Sequence, residues 1–275
     1  MNRLIVTASK AILVALIVVW SVFPVAYVVI NSFKFQRDIF AFPPTIAFTP
    51  TFDNYLDLQK NYPEFFGFVW NSVVISVTAT ILSVFAAACA GYVYSRYRHN
   101  ALSASAFYLI AIRLLPPMVV TIPLFPWINQ LGLADTHLIL VLLYATFWVP
   151  LNVLIMKEFI DKIPRELDES ATVDGASEAQ ILRHVIAPLS IQGMVACAVF
   201  VFVFSWNEYL YAFIFTIQNA KTTPLILSEL MDSVAGTNYG ILFAAATVQL
   251  APIVVVVMLL QRFLVSGLTA GAVKG

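Results

Sequence analysis

Apolar residues run along this chain in long uninterrupted stretches, separated by polar segments of very unequal length. A hydrocarbon layer of about 30 Å needs about 20 helical residues to cross it. Six stretches meet that length: Ala11 to Ser32, Phe68 to Tyr94, Leu102 to Leu124, Leu138 to Met156, Ile191 to Ile217 and Ile241 to Val265. The expected fold class is therefore all-α, a membrane protein of six transmembrane helices. The first stretch follows Arg3 and Lys10 as a secretory leader would, but it exceeds the roughly 7–15 apolar residues of a leader core and no small-x-small cleavage site follows. A retained span is expected.

Composition agrees with this pattern. Hydrophobic residues make up 61% of the 275 and charged residues 11%, with a mean hydropathy of +0.88, too little polar surface to cover a water-soluble globule of this size. Fifteen basic and fifteen acidic residues cancel, so no overall field points to a nucleic-acid partner. The distribution of the cations is more informative. With the N-terminus on the cytoplasmic side, ten fall inside (Arg3, Lys10, Arg96, Arg98, Lys157, Lys162, Arg165, Arg183, Arg262, Lys274) and four outside (Lys34, Arg37, Lys60, Lys221), Arg113 lying within the third span. That asymmetry places both termini in the cytoplasm.

The polar segment between spans four and five, residues 158 to 188, then lies in the cytoplasm and has its own helical grammar. Pro164 suits a helix first turn, and Glu166, Asp168 and Glu169 suit the positive end of its dipole. Asp174-Gly175 breaks that helix. Ser177 with Gln180 three residues on forms a capping box for a second helix. Leu167, Ala171, Ile181, Leu182 and Val185 supply a narrow apolar face, and Pro188 ends the unit. A chain this apolar gains little from an ordered polar elbow unless something docks on it.

The stretch ESATVDGASEAQILRHVIAP resembles the EAA loop of ABC importer permeases. Glu169, Ala171, Asp174, Gly175, Ala176 and Pro188 match the motif, while Ser170, Val185 and Ala187 depart from it conservatively. Asn71-Ser72, Gly91-Tyr92 with Arg96, WNEYLYA (Trp206 to Ala212) and the tail GLTAGAVKG (Gly267 to Gly275) resemble the carbohydrate, maltose-type branch. The resemblance implies a type I importer permease in the bacterial cytoplasmic membrane. Its implied partners are a second homologous permease, two copies of a cytoplasmic ATP-binding subunit gripping the elbow, an extracytoplasmic solute-binding protein and a sugar-type substrate. It also implies that the tail, through Thr269, Ala270, Gly271 and Lys274, reaches toward the ATPase. The same machinery serving a polyol, glycerol phosphate or an amino acid is the nearest alternative, and an ion-driven secondary transporter the further one.

No phosphate-binding loop, nucleophile elbow or metal-ligand spacing occurs, and Cys89 and Cys197 sit in apolar runs. Neither catalysis, a cofactor nor a metal site is expected, and His99, His137 and His184 are expected in solvated connections. The transport path must come from polar groups inside the spans. Arg113 and Glu208 must face protein or water, since an intramembrane charge costs at least about 2.5 kcal/mol. Arg113, before Pro116-Pro117, is expected to donate to cargo, to pair with a carboxylate such as Glu208, or to snorkel. Trp206, Asn207 and Tyr211 carry the ring surface and hydrogen-bonding ends that sugars require, or else join this subunit to a partner. Asn207 and Tyr211, four apart, are expected on one helix face. The outer loop, about residues 34–67, and residues 218–238 offer a surface to a binding protein. No linker or repeat divides the chain, so one transmembrane permease domain, 1–275, is expected.

Overall fold

The computed structural model describes residues 2–231 and 236–272, with side chains from 6 to 261 within those ranges except that of residue 8, and that of residue 263. Its described residues contain helices and connections and no strand. The chain opens with α1 (Asn2–Ser32), followed in the outer loop by α2 (Gln36–Ile39) and α3 (Asp53–Asn61). Then come α4 (Phe65–Arg96), α5 (Asn100–Ile112), α6 (Pro117–Gln130) and α7 (His137–Ile160). The elbow is α8 (Glu166–Val173), α9 (Glu178–Ile181), a π turn (Leu182–Ile186) and α10 (Ala187–Leu189). The chain continues through α11 (Ile191–Trp206), α12 (Leu210–Phe215), α13 (Thr223–Met231) and α14 (Tyr239–Ala272).

Four of these helices, over Ser9–Ser32, Phe65–Arg96, His137–Ile160 and Tyr239–Gln261, are individually long and apolar enough to cross a membrane. Two more apolar stretches are bent pairs: α5 with α6 at 95°, and Glu178–Leu189 with α11 at 80°. Counting each pair as one span gives six. The third expected span is thus no continuous helix. Pro116 and Pro117 have no N–H to return to the preceding turn, so α5 stops and Pro117 opens α6 at a position where its missing donor costs nothing.

By their contacts the described residues fall into two compact units, 2–66 with 226–231 and 236–251, and 67–225 with 252–272. In the first, Asn54 and Leu58 are the buried face of α3. Asn54 donates to the carbonyls of Ser32 and Lys34, both at 2.8 Å, and Gly240 leaves room for its side chain. The second unit holds two apolar cores. One joins Ile75, Leu140, Tyr144, Tyr211 and Phe215. The other joins Val84, Tyr92, Met156, Ile160, Ile181, Ile186 and Cys197, so the elbow's second helix is packed into the same core as α4 and α7. Gly91 permits that packing, because a Cβ there would lie 2.7 Å from Met156 Cβ.

Candidate functional site

The elbow has the geometry of a built knuckle. Helix α8 ends at Gly175, whose φ is +82°, a left-handed conformation that glycine adopts without strain. Gly175 N–H donates to Thr172 O and Ala176 N–H to Ala171 O, both at 3.0 Å, the paired bonds of a Schellman stop. Ser177 and Gln180 then form the capping box, with Gln180 Oε1 accepting the Ser177 amide at 2.7 Å. Between α9 and Pro188 the backbone widens into the π turn, where Ala187 N–H reaches Leu182 O. Ala171 and Ala176 are half-buried against the core while Val173 is 88% exposed at the tip.

Three side-chain anchors tie this knuckle to the end of α4. Arg96 and Asp168 form an ion pair that is almost wholly buried, and Arg96 Nη2 also donates to Ile163 O at 3.2 Å. Glu178 accepts from Tyr92 Oη at 2.7 Å and from Tyr97 Oη at 2.9 Å. The bond to Glu178 raises the Tyr97 phenol above its usual value, since ionising it would set two anions side by side. Ser95 Oγ donates to Asp161 at 2.6 Å, and Lys157 pairs with the same carboxylate. Burial raises the Asp161 carboxyl, but Lys157, Ser95 and Arg96 outweigh it and leave the group below its usual value. Among the motif residues Glu169, Asp174 and Pro188 are exposed, and Ala171, Gly175 and Ala176 shape the turn. Asp168, expected only to suit the positive end of the α8 dipole, and Glu178, which no sequence signal singled out, are the fastenings.

The polar residues of the spans do not form one cluster. Arg113 caps α5 and lies over the rings of Phe147 and Trp148, 4.6 and 4.5 Å from their centroids, with Nη1 donating to Phe147 O at 2.8 Å. It has no bond to Glu208; that expected ion pair does not form. Glu208 instead accepts the amides of Tyr211 (2.9 Å) and Ala212 (3.3 Å) and so starts α12. Asn207 Nδ2 returns to Val203 O at 2.7 Å. These two side chains take over backbone partners, so the fifth span breaks at residues 207–209 rather than running on, and Asn207 and Tyr211 share no helix face. Trp206 is fully buried, its ring stacked 5.8 Å from that of Phe202. Arg113 and Tyr211 do meet, in the lining of a mostly apolar cavity of about 410 Å³ at the bend between α5 and α6. Thr269, Ala270 and Gly271 lie beyond the residues whose side chains are described, and Lys274 lies outside the described residues altogether.

At the opposite end of the same unit, sequence reasoning missed a second constellation. The Asp135 carboxylate accepts the amides of Ile217, Gln218, Asn219 and Ala220 at 3.0 to 3.2 Å, and the Asn219 side chain at 2.9 Å. Burial raises this carboxyl, but the four amides outweigh it and hold it below its usual value. Next to it, Asn71 donates to the carbonyls of Asn219 and Lys221 (2.8 and 3.0 Å) and its Oδ1 lies 2.8 Å from His137 Nε2. The ends of α4, α7 and α12 are thereby clamped. The positive φ of Asp135, 57°, beside Gly132 at 66°, marks a tight loop whose polar residues were the only local signal.

Comparison with known proteins agrees with this architecture. The chain is 32% identical over 265 residues to the inner membrane ABC transporter permease protein YcjP of Escherichia coli, covering 95% of this chain and 94% of that one. It is 29% identical over 267 residues to the trehalose/maltose transport system permease protein MalG of Thermococcus litoralis, covering 96% and 95%. The fold matches a chain of a bacterial ABC transporter involved in import of the acidic polysaccharide alginate, with a TM-score of 0.77, 18% identity, and 95% and 97% coverage. The model of the family described as "binding-protein-dependent transport system inner membrane component" matches residues 79–270, which hold the elbow, both interrupted spans and the Asp135 clamp, and the chain belongs to that family.

Proposed function

We propose that this chain is the transmembrane permease of an ATP-driven importer for a sugar or sugar derivative. It forms the translocation path with a second, homologous permease and receives solute from an extracytoplasmic binding protein. A separate cytoplasmic ATPase, present in two copies, drives it through the elbow. The observation that carries the reading is the elbow itself: a short exposed knuckle made rigid by the Gly175 turn and fastened to α4 by Arg96–Asp168 and by Tyr92 and Tyr97 on Glu178. A connection that merely joined two spans would need none of these bonds, whereas a docking element must hold its shape to transmit a push. The cations support placing the elbow in the cytoplasm, since Arg96, Arg98, Lys157, Lys162, Arg165 and Arg183 gather at that end of the unit. Both termini then lie inside and the Asp135 clamp faces the exterior.

In this reading closure of the ATPase dimer moves the elbow, and with it the ends of α4 and α7, so that the solute cavity alternates its exposure. Arg113, Asn207, Glu208, Tyr211 and Trp206 form or shape the path, with Arg113 and Tyr211 facing its cavity. Glu169, Ala171, Asp174, Gly175, Ala176 and Pro188 make the ATPase contact, joined by the tail at Thr269, Gly271 and Lys274. A sugar substrate is supported by the trehalose/maltose permease among the relatives. The apolar length of α1, exposed along residues 9–25 in the isolated chain, supports a covering of lipid and of the second permease.

The test is uptake into proteoliposomes carrying the complete complex, with its binding protein outside and ATP within, against a panel of labelled disaccharides, polyols, glycerol phosphate and amino acids. ATP-dependent uptake of a sugar is the expected result. Uptake confined to a non-sugar would overturn the substrate class. Uptake that persists with a hydrolysis-dead ATPase would overturn the mechanism in favour of an ion-driven carrier.

A further inference from the structure

A second cavity, of about 980 Å³, opens beside the elbow. Its walls are the exit from α4, the first turns of α5 and the end of α7 through Arg165. Two of its cations are already matched, Arg96 by Asp168 and Lys157 by Asp161. Three others, Arg98, Lys162 and Arg165, face it with only Glu166 as a further lining acid, and His99 stands among them. All three are exposed. Arg165 is held in place by one donor, Nη2 to Ser95 O at 2.9 Å; Lys162 lies 4.9 Å over the Phe159 ring; and Arg98 has no hydrogen-bonding or ionic partner among the described residues. The cavity is therefore a preformed basic pocket, and the excess charge awaits an anion.

Its other wall decides what kind of anion. The pocket continues past Leu102 and Ala106 onto α5, whose outward residues Phe107 and Ile110 are 74 and 51% exposed. Those side chains belong to the apolar pair α5 and α6, which together meet the length and composition of a span, so an apolar ligand rather than a soluble subunit suits them. A ligand filling both parts carries a negative head and an apolar tail. We infer that this pocket binds the headgroup of an anionic phospholipid, its phosphodiester between Arg98, Lys162 and Arg165 and its acyl chains along α5. Only the assignment to the inner leaflet rests on the orientation proposed above.

The inference is tested on the intact complex in nanodiscs of phosphatidylcholine doped with phosphatidylglycerol, counting retained lipids by native mass spectrometry. Each basic residue near an anionic headgroup is worth about fivefold in affinity. The double variant Arg98→Gln/Lys162→Gln should thus need on the order of 25-fold more phosphatidylglycerol to hold the same complement. Phosphatidylcholine retention and copurification of the ATPase should be unchanged. Undiminished phosphatidylglycerol retention in the variant overturns the site. Loss of the ATPase with lipid retention intact shows instead that the basic residues dock a protein. Displacement of the lipid by soluble glycerol phosphate, which has no acyl chain, overturns the lipid as the source of the anion. Separately, an Asn100→Cys variant should react with an impermeant thiol reagent only in inside-out vesicles. Reaction in right-side-out vesicles would overturn the orientation and leave the lipid result standing by itself.

Discussion

Replacing Gly175 isolates the turn of the elbow from everything around it. An ideal Cβ at this position meets no atom within 4 Å of the chain, so a side chain causes no clash within the permease; the whole penalty is the φ of +82°. Holding an L-residue there costs about 1–2 kcal/mol, most for a β-branched side chain and least for asparagine, whose side chain bonds locally in that region. At about 1.4 kcal/mol per factor of ten, valine lowers the population of the native knuckle by roughly 5- to 30-fold relative to any reopened form. Reopening also gives up the two 3.0 Å bonds of the helix stop. Solute moved per ATP hydrolysed, in proteoliposomes of the complete complex, should fall in the order Gly, Asn, Ala, Val, with uptake nearly abolished in Gly175→Val while membrane insertion stays normal. Gly67→Val is the control, since its Cβ also meets nothing and its φ is not positive. The order separates two causes. Backbone strain places Asn above Ala, whereas steric exclusion from an ATPase cleft places the smaller Ala above Asn. Normal coupling in Gly175→Val would refute the rigid-knuckle reasoning, and a size-ordered series would refute the strain argument.

Further expectations concern the fastenings and the clamp. Tyr92→Phe removes one bond to Glu178 and should cost about 1–2 kcal/mol of local stability, read as faster hydrogen exchange across α8 and α9; unchanged exchange would show the bond to be idle. Gly91→Leu must force α4 from α7, because even its Cβ would sit 2.7 Å from Met156 Cβ, and should lower stability in detergent by about 1–3 kcal/mol; a wild-type melting temperature would contradict that close approach. Asp135→Ala should expose the amides of residues 217–220 to exchange at neutral pH. Because the folded carboxyl lies below its usual value, its contribution is complete above about pH 4 and is lost as pH falls through the lowered value. Protection in the wild type should therefore be constant from pH 8 to 5, after correction for intrinsic rates, and a loss near pH 6 would contradict the assignment. Arg113→Lys keeps the charge but not the planar stack on Phe147 and Trp148, and should impair uptake nearly as much as Arg113→Met; full activity in the lysine variant would show that charge alone suffices.

What could be read from the sequence was local. The Gly175 stop and the Ser177–Gln180 box lie within six residues of each other, and short-range rules describe both. Asp168 and Glu178 could not be assigned that way, since their partners Arg96 and Tyr92 are 72 and 86 residues distant and nothing in the elbow announces them. Hydropathy counted apolar length and so merged α5 with α6 and α11 with α12. It is blind to where an amide finds its acceptor, and at both sites that decided the outcome: paired prolines removed donors at 116–117, and Asn207 and Glu208 took over backbone partners at 207–209. Asp135 was invisible for the same reason as Asp168, its acceptor role being filled by amides 82 to 85 residues away.

These long-range bonds lie at the two ends of one unit, and the interruptions lie between them. Near the elbow, α4, α7 and α11 share a core through Met156, Ile160 and Cys197, and Gly193 lets α11 approach Phe159 so closely that a Cβ would be 2.7 Å from its ring. The chain turns by 80° between α10 and α11, but Ile181 and Ile186 on one side of that bend and Cys197 on the other are buried in the same core, and the breaks at Arg113–Pro116 and Asn207–Tyr209 lie beyond it. Beyond them the Asp135 and Asn71 bonds hold the far ends of α4, α7 and α12 together. A rigid body at each end with broken helices between is the arrangement in which a small push on one face changes the cavity in the middle rather than bending every helix a little. Arg113 and Tyr211 line the cavity at the first of those breaks, where the helix between the two clamped ends is interrupted.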